Sequence, residues 1–177
     1  MSQADQQKWD ARYANQNEAD PFAPSELLKR ALSHMRESRN GSAARKALDL
    51  ACGGGRNSLW LAEHGFQVEA VDVSAEGLLL AERRAASATA ESSKSEPGRI
   101  RWIHADLDNG LPVTGNYDLI LMIRYLDLSL FERAARHLIP GGLLVVELHM
   151  DPGTEPDIAG PRNPDFLIAP GALADAT

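Results

Sequence analysis

The stretch KALDLACGGGRNSLWLAEHGFQVEAVDVS, Lys46 to Ser74, leaves few folds open. A short apolar run carries Asp49 near its end, three glycines follow at Gly53 to Gly55, RNSLWLAEH resumes with helical spacing, and a second apolar run ends in Asp72. Periodicity alone cannot separate a short apolar run from a buried helix. Its neighbours decide: the glycines end the run, and Gly65 can close the helix that follows. The stretch therefore reads as strand, glycine turn, helix, strand.

The rest of the chain repeats that alternation. RIRWIHADL is predicted as a third strand, YDLILMI as a fourth and GLLVVELHM as a fifth. Ahead of the third strand, Ser74 begins a helix, SAEGLLLAERRAASA, weakened by Gly77 but with acids early and arginines late, the order the helix dipole favours. Between the last two, Leu128, Phe131, Ala135 and Leu138 mark one helical face, and PGG stops it. Strands alternating with helices predict an α/β fold, a Rossmann-like doubly wound parallel sheet with helices on both faces. Ahead of the sheet, residues 5 to 15 are predicted helical, with Trp9 and Tyr13 on one face, either packed on the body or acting as a lid. Ser25 then caps a helix carrying Leu27, Leu28, Leu32 and Met35. SATAESSKSEPG, Ser87 to Gly98, is small, polar and unpatterned, and reads as a surface loop.

Charge and composition exclude several roles. A net charge of -7 argues against a nucleic-acid surface, which is usually basic. The single cysteine, Cys52, rules out an internal disulfide framework and offers no metal-ligand spacing. No apolar run approaches the length of a membrane span, and the polar N-terminus has no signal-peptide core. The expectation is a cytoplasmic protein with no membrane or nucleic-acid partner and no metal.

In a sheet of this kind the ligand lies beyond the carboxyl ends of the strands. That places Ala51 to Arg56 against it, with glycines where a side chain would hold the backbone N–H groups away. Asp72 stands where an acid can accept hydrogen bonds from both hydroxyls of a ribose, with Val73 beside it. An NAD-type fingerprint wants G-x-G-x-x-G; Gly53 and Gly55 fill its first two places and Ser58 stands in the third. What the chain has instead is an acid four residues before the first of three glycines, DLACGGG.

At these residues the chain resembles the class I S-adenosylmethionine-dependent methyltransferases, whose first motif reads acid-x-x-x-G-x-G. VDVS is similar to the second motif, HADL to the third, YDLILMI to the fourth-strand motif and LIPGGLLVVE to the turn into strand five. KWDARYA, CGGGRNSLWLAEHGF, RYL and GPRNPDFLIAPGAL resemble the small tellurite-resistance-type enzymes and their thiopurine-type relatives. The resemblance implies S-adenosylmethionine as cofactor. It implies that Asp49 holds the turn and the methionine ammonium, that Asp72 binds the ribose, that Asp106 meets the adenine amino group and that Leu107 flanks the ring. Ala51, Gly53, Gly55, Arg56, Val73 and Ile123 complete the expected cofactor contacts. It also implies a small methyl acceptor.

Methyl transfer from a sulfonium is an in-line displacement in which alignment supplies most of the acceleration. A thiolate, selenide or reduced tellurium oxyanion needs no general base. For a protonated acceptor, His149 at the end of strand five is the candidate base. Arg124 is the candidate for a bidentate grip on an anionic substrate. Family members usually add two further strands as an antiparallel hairpin beside strand five, whereas the proline- and glycine-rich remainder after Met150 holds no pair of strand-like runs. The expectation is one domain over 1–177: N-terminal helices or lid at 1–44, a cofactor core at 45–150 and a truncated segment at 151–177. In that chain strand five is an edge open to a second copy. A cofactor-binding module without turnover and an NAD-dependent oxidoreductase remain the alternatives.

Overall fold

A computed structural model describes residues 3–20, 22–35, 44–91, 99–151 and 166–175. In chain order the elements are α1 (Gln3–Ala14), α2 (Glu26–Leu32), β1 (Lys46–Leu50), α3 (Arg56–Glu63), β2 (Gln67–Asp72), α4 (Ala75–Glu91), β3 (Ile100–His104), β4 (Tyr117–Ile123), α5 (Ser129–Ala135), β5 (Leu138–Glu147), β6 (His149–Met150), β7 (Leu167–Ile168) and α6 (Ala172–Asp175). A 3-10 turn, Leu107–Asn109, follows β3.

Five strands form one parallel sheet in the order β3-β2-β1-β4-β5, the doubly wound arrangement expected from the sequence. Its two faces follow from the strand period of two. Leu119, Leu121 and Ile123 of β4 pack with Leu28 of α2, Leu61 of α3 and Leu78 of α4. Ile120 and Met122, the residues between them, pack on the other side with Leu130 and Phe131 of α5. Each such aliphatic or aromatic side chain removed from water contributes about 1.5–3 kcal/mol. The order also puts β1 and β4 next to each other, so the turns after them open at the same edge of the sheet.

Several boundaries differ from expectation, each for a physical reason. The helix α4 does not end at Ala88 but runs to Glu91, into the expected loop, because alanines at 85, 86, 88 and 90 carry strong helix propensity that outweighs the loop-like serines. The rest of the expected loop, 92–98, lies outside the described residues. Leu138 belongs to β5 rather than to α5, and the strand passes through Pro140 with a register shift against β4 between Tyr117 and Leu119. Proline is tolerated there because β5 is an edge, with no ladder partner on its outer side among the described residues. His149 is not the end of that strand. It starts β6, which pairs in parallel with β7 as a separate two-stranded piece, so the segment after Met150 contributes one short strand that its composition hid.

Candidate functional site

The glycine turn closes on itself around Asp72. One carboxylate oxygen accepts the Gly53 N–H at 2.7 Å and the other the Ser74 N–H at 2.8 Å. The acid at the end of β2 thereby fixes the turn after β1 and the start of α4 together. Ala51 and Gly53 adopt left-handed backbone, with φ of 57° and 55°. Asp49, 1 % exposed in the middle of the sheet, has the Ser58 hydroxyl donating to it at 2.6 Å. Burial raises its pKa to about 7; the Ser58 hydrogen bond pulls it down and the Asp72 charge pushes it further up. Burial also raises Asp72, against the pull of its backbone donors. Two buried acids that resist ionisation beside a glycine turn form a site that gains by receiving a cation. Cys52 is buried, with its thiol pushed well up by burial and then by Asp72, so it is a packed thiol and not a nucleophile.

The helix α1 lies across this turn. Tyr13 stacks on Trp9, with ring centroids 6.1 Å apart, and a Cβ at Gly53 would collide with the Tyr13 hydroxyl. The same ring lines the start of α4, where a Cβ at Gly77 would stand 3.0 Å from Tyr13 Cδ2. Asp10 accepts from the Ser74 hydroxyl at 2.6 Å and from the Glu76 N–H at 3.3 Å, so α1 caps α4. Further along α4, the buried Arg84 donates to the Gly54 carbonyl at 3.0 Å and the Asn17 carbonyl at 3.2 Å, under the Phe22 ring. Burial, then the Asp72 and Cys52 charges, push the Tyr13 phenol up, which keeps it a neutral donor. Spacing alone pairs Trp9 with Tyr13; the glycines facing Tyr13 are a second signal, since small residues on two elements make room for one ring.

A second group gathers where β4 and β5 end. Arg124, just past β4, has φ 61°, and its backbone N–H donates to the Glu147 carbonyl at 2.6 Å. A non-glycine residue in this region is uncommon and marks a turn that the surroundings enforce. Its Nε is 3.5 Å from Glu147 Oε1, while the Ser25 hydroxyl donates to Glu147 Oε2. Arg56, the first residue of α3, donates to the Ala23 carbonyl at 3.2 Å. Its pKa is lowered by burial first and then by the Arg124 charge. The next residue, Asn57, is buried, and its Oδ1 accepts the Ser25 N–H at 2.9 Å. His149 is pushed below its ordinary pKa by burial and by Arg124, against the pull of Glu147, so it is neutral near pH 7. Glu147 was missed from the sequence, although an acid ending an apolar strand is the pattern that picked out Asp72.

The remaining expected contacts sit around the ends of β2, β3 and β4. Val73 and Ile123 are buried at their strand ends. Asp106 caps the 3-10 turn, its side chain accepting the Asp108 N–H at 3.0 Å. Leu107 is 4 % exposed and its side chain belongs to the core cluster that includes Val113 and Tyr117. Open grooves lie beside this region among the described residues. One of about 360 Å³ runs between α2 and β5, and one of about 330 Å³ runs from Ala19 to Glu63 past Arg56. The glycine turn itself lies under Tyr13.

Comparison with known families matches residues 47–142, more than half of the chain, to the family described as "Methyltransferase domain". The chain belongs to this methyltransferase family. Among curated proteins the methyltransferase chain is similar to ribosomal RNA small subunit methyltransferase C of Alcanivorax borkumensis, 33% identical over 118 residues, 61% of this chain and 33% of that protein. Among solved structures it superposes on TehB from Haemophilus influenzae with a TM-score of 0.60 at 20% identity, covering 85% of this chain and 48% of that one. A SAM-dependent methyltransferase from Thiobacillus denitrificans, solved with S-adenosyl-L-homocysteine, gives 0.55 at 21% identity, over 76% and 52%. The chain thus spans about a third to a half of the length of these relatives.

Proposed function

We propose that this methyltransferase-family chain transfers a methyl group from S-adenosylmethionine to a small molecule with a soft or anionic acceptor, such as a thiol or a selenium or tellurium oxyanion. The observation that carries the reading is one sheet edge bearing both a glycine turn with two buried acids, Asp49 and Asp72, and two neighbouring guanidinium groups, Arg56 and Arg124. The acids and the turn suit the cofactor. Each Asp72 oxygen keeps a lone pair beyond its backbone bond, enough for two ribose hydroxyls. Asp49 suits the methionine ammonium, Ala51, Gly53, Gly55 and Arg56 line the turn, and Val73, Asp106, Leu107 and Ile123 border the adenine side. When bound, S-adenosylmethionine supplies an activated methyl on a sulfonium.

The chain's own residues then have limited tasks. Arg124 grips an anionic acceptor and orients it. His149, neutral at working pH, takes a proton where the acceptor carries one. Tyr13 and α1 cover the turn and keep water from it. The net charge of -7 supports a small-molecule acceptor over nucleic acid. Among the described residues no helix is long and apolar enough to cross a membrane, and we place the protein in the cytoplasm, where its one thiol stays reduced.

Calorimetric titration with S-adenosylhomocysteine, beside NAD and with Asp72→Ala and Asp72→Asn, tests the cofactor reading. Loss of two charge-assisted bonds predicts about a hundredfold weaker binding in either variant. A folded wild type that ignores S-adenosylhomocysteine, or that prefers NAD, overturns it. Methylation of thiols, selenite and tellurite is then screened; binding without turnover would make the chain a cofactor-binding module.

A further inference from the structure

We propose that Glu147 and Ser25 are positioning residues, which aim the Arg124 guanidinium at a planar anionic group, a carboxylate or oxyanion, carried by the methyl acceptor. This rests on the reading of Arg124 as the acceptor contact. The argument starts from what holds Arg124. Its backbone is fixed in left-handed conformation against Glu147, and its side chain meets the same residue through Nε, 3.5 Å from Oε1. Glu147 divides its two oxygens: one meets Nε of Arg124, the other accepts from Ser25.

Ser25 is itself immobilised. It is 4 % exposed, its N–H donates to the buried Asn57, and its hydroxyl accepts the Leu27 N–H at 3.1 Å as the cap of α2. A chain of contacts thus runs from α3 through the α2 cap and β5 to the guanidinium.

The division of oxygens decides between two roles for Glu147. A carboxylate that plugged the arginine would face the fork with both oxygens. Here one oxygen is turned away to Ser25 and the other meets the Nε edge. The terminal nitrogens of Arg124 are left on a side chain 54% exposed, with no further partner among the described residues. Arg56, Arg124 and Glu147 together carry one net positive charge, offset on the Arg56 side by Asp49, so the exposed fork of Arg124 is the part left for an anionic group. Arg56 stands close enough to feel that charge. A planar two-oxygen anion matches the fork in both charge and shape.

The test uses two small thiols that differ in a carboxylate, 3-mercaptopropionate and 2-mercaptoethanol. Binding to protein saturated with S-adenosylhomocysteine is followed by saturation-transfer NMR, and methyl transfer is measured in parallel with S-adenosylmethionine. Wild type is expected to bind the carboxylate thiol and to discriminate against the neutral one by about tenfold. Glu147→Gln removes a negative charge, so simple electrostatics would tighten carboxylate binding; the positioning role requires it to weaken by about fivefold, with S-adenosylhomocysteine affinity and melting temperature unchanged. Ser25→Ala is expected to weaken it by a smaller factor, and Glu147→Gln in an Arg124→Gln background to add nothing. Carboxylate binding that is unchanged or tighter in Glu147→Gln, or additive losses in the double variant, overturns the proposal alone. A wild type that binds the cofactor product but shows no preference between the thiols overturns it together with the acceptor reading of Arg124.

Discussion

Asp49 is the residue at which stability and function pull in opposite directions. Its carboxyl titrates near 7 in the folded chain, well above the ordinary value, chiefly because of burial. The folded state therefore holds this proton more tightly than the unfolded chain does. The contribution to stability is fully present below the unfolded pKa of about 4 and is lost as pH rises through about 7. Asp49→Asn removes the penalty, and at pH 8 the cofactor-free variant is expected to melt about 5 °C higher than wild type. The same variant loses a partner for a cationic ammonium, and its affinity for S-adenosylhomocysteine is expected to fall about tenfold. In the wild type, binding should tighten between about pH 6 and pH 8 as the proton leaves. Calorimetry in buffers of different ionisation enthalpy reads that proton directly. A variant no more stable than wild type at pH 8, or binding with no proton released, would refute the account. The residue was legible as a strand-end acid before the turn. Its protonation was not, because it depends first on how deeply the folded sheet buries the carboxyl and then on the Asp72 charge brought near it.

Between α1 and α4 the informative position is Gly77. From sequence it weakens the helix, since glycine in a helix interior costs about 1 kcal/mol relative to alanine. The structure supplies the compensation: the Tyr13 ring fits against it, and the other side of that ring meets Gly53, so the ring has no room to retreat. Gly77→Ala should therefore destabilise the wild-type chain by about 1–2 kcal/mol, while in a Tyr13→Ala background it should stabilise by about 1 kcal/mol. Denaturant unfolding of the four proteins measures the coupling. Additive effects would mean that the ring and the helix do not share this slot. Element identity was readable where one period dominated, as in YDLILMI, which is β4 to the residue. It failed where two signals competed: alanines against serines at the end of α4, and Pro140 within β5. The packing of α1 was undecided because Trp9 and Tyr13 fix a face of that helix but not what lies opposite it.

For the molecule as a whole, the order of strands and turns carried the fold, since a glycine turn between two apolar runs ending in acids specifies a parallel crossover wherever the rest of the alternation agrees. The β6–β7 pair was illegible, because two residues of pairing leave no periodicity to read. The edge expected at strand five is present as β5, whose outer side is unpaired among the described residues. We propose that a second copy pairs there. A two-fold contact between identical edges must be antiparallel. With Val145 at its centre, Glu147 of one copy stands opposite Leu143 of the other, so the like charges never face each other. Pro140 lacks an N–H to donate, which confines the pairing to the stretch after it. Sedimentation velocity across a concentration series should then show a dimer, and amide exchange at Leu143 to Val146 should slow as concentration rises. Both readouts follow from one set of hydrogen bonds, so a monomer at every concentration with fast exchange along β5 would remove the edge as an interface.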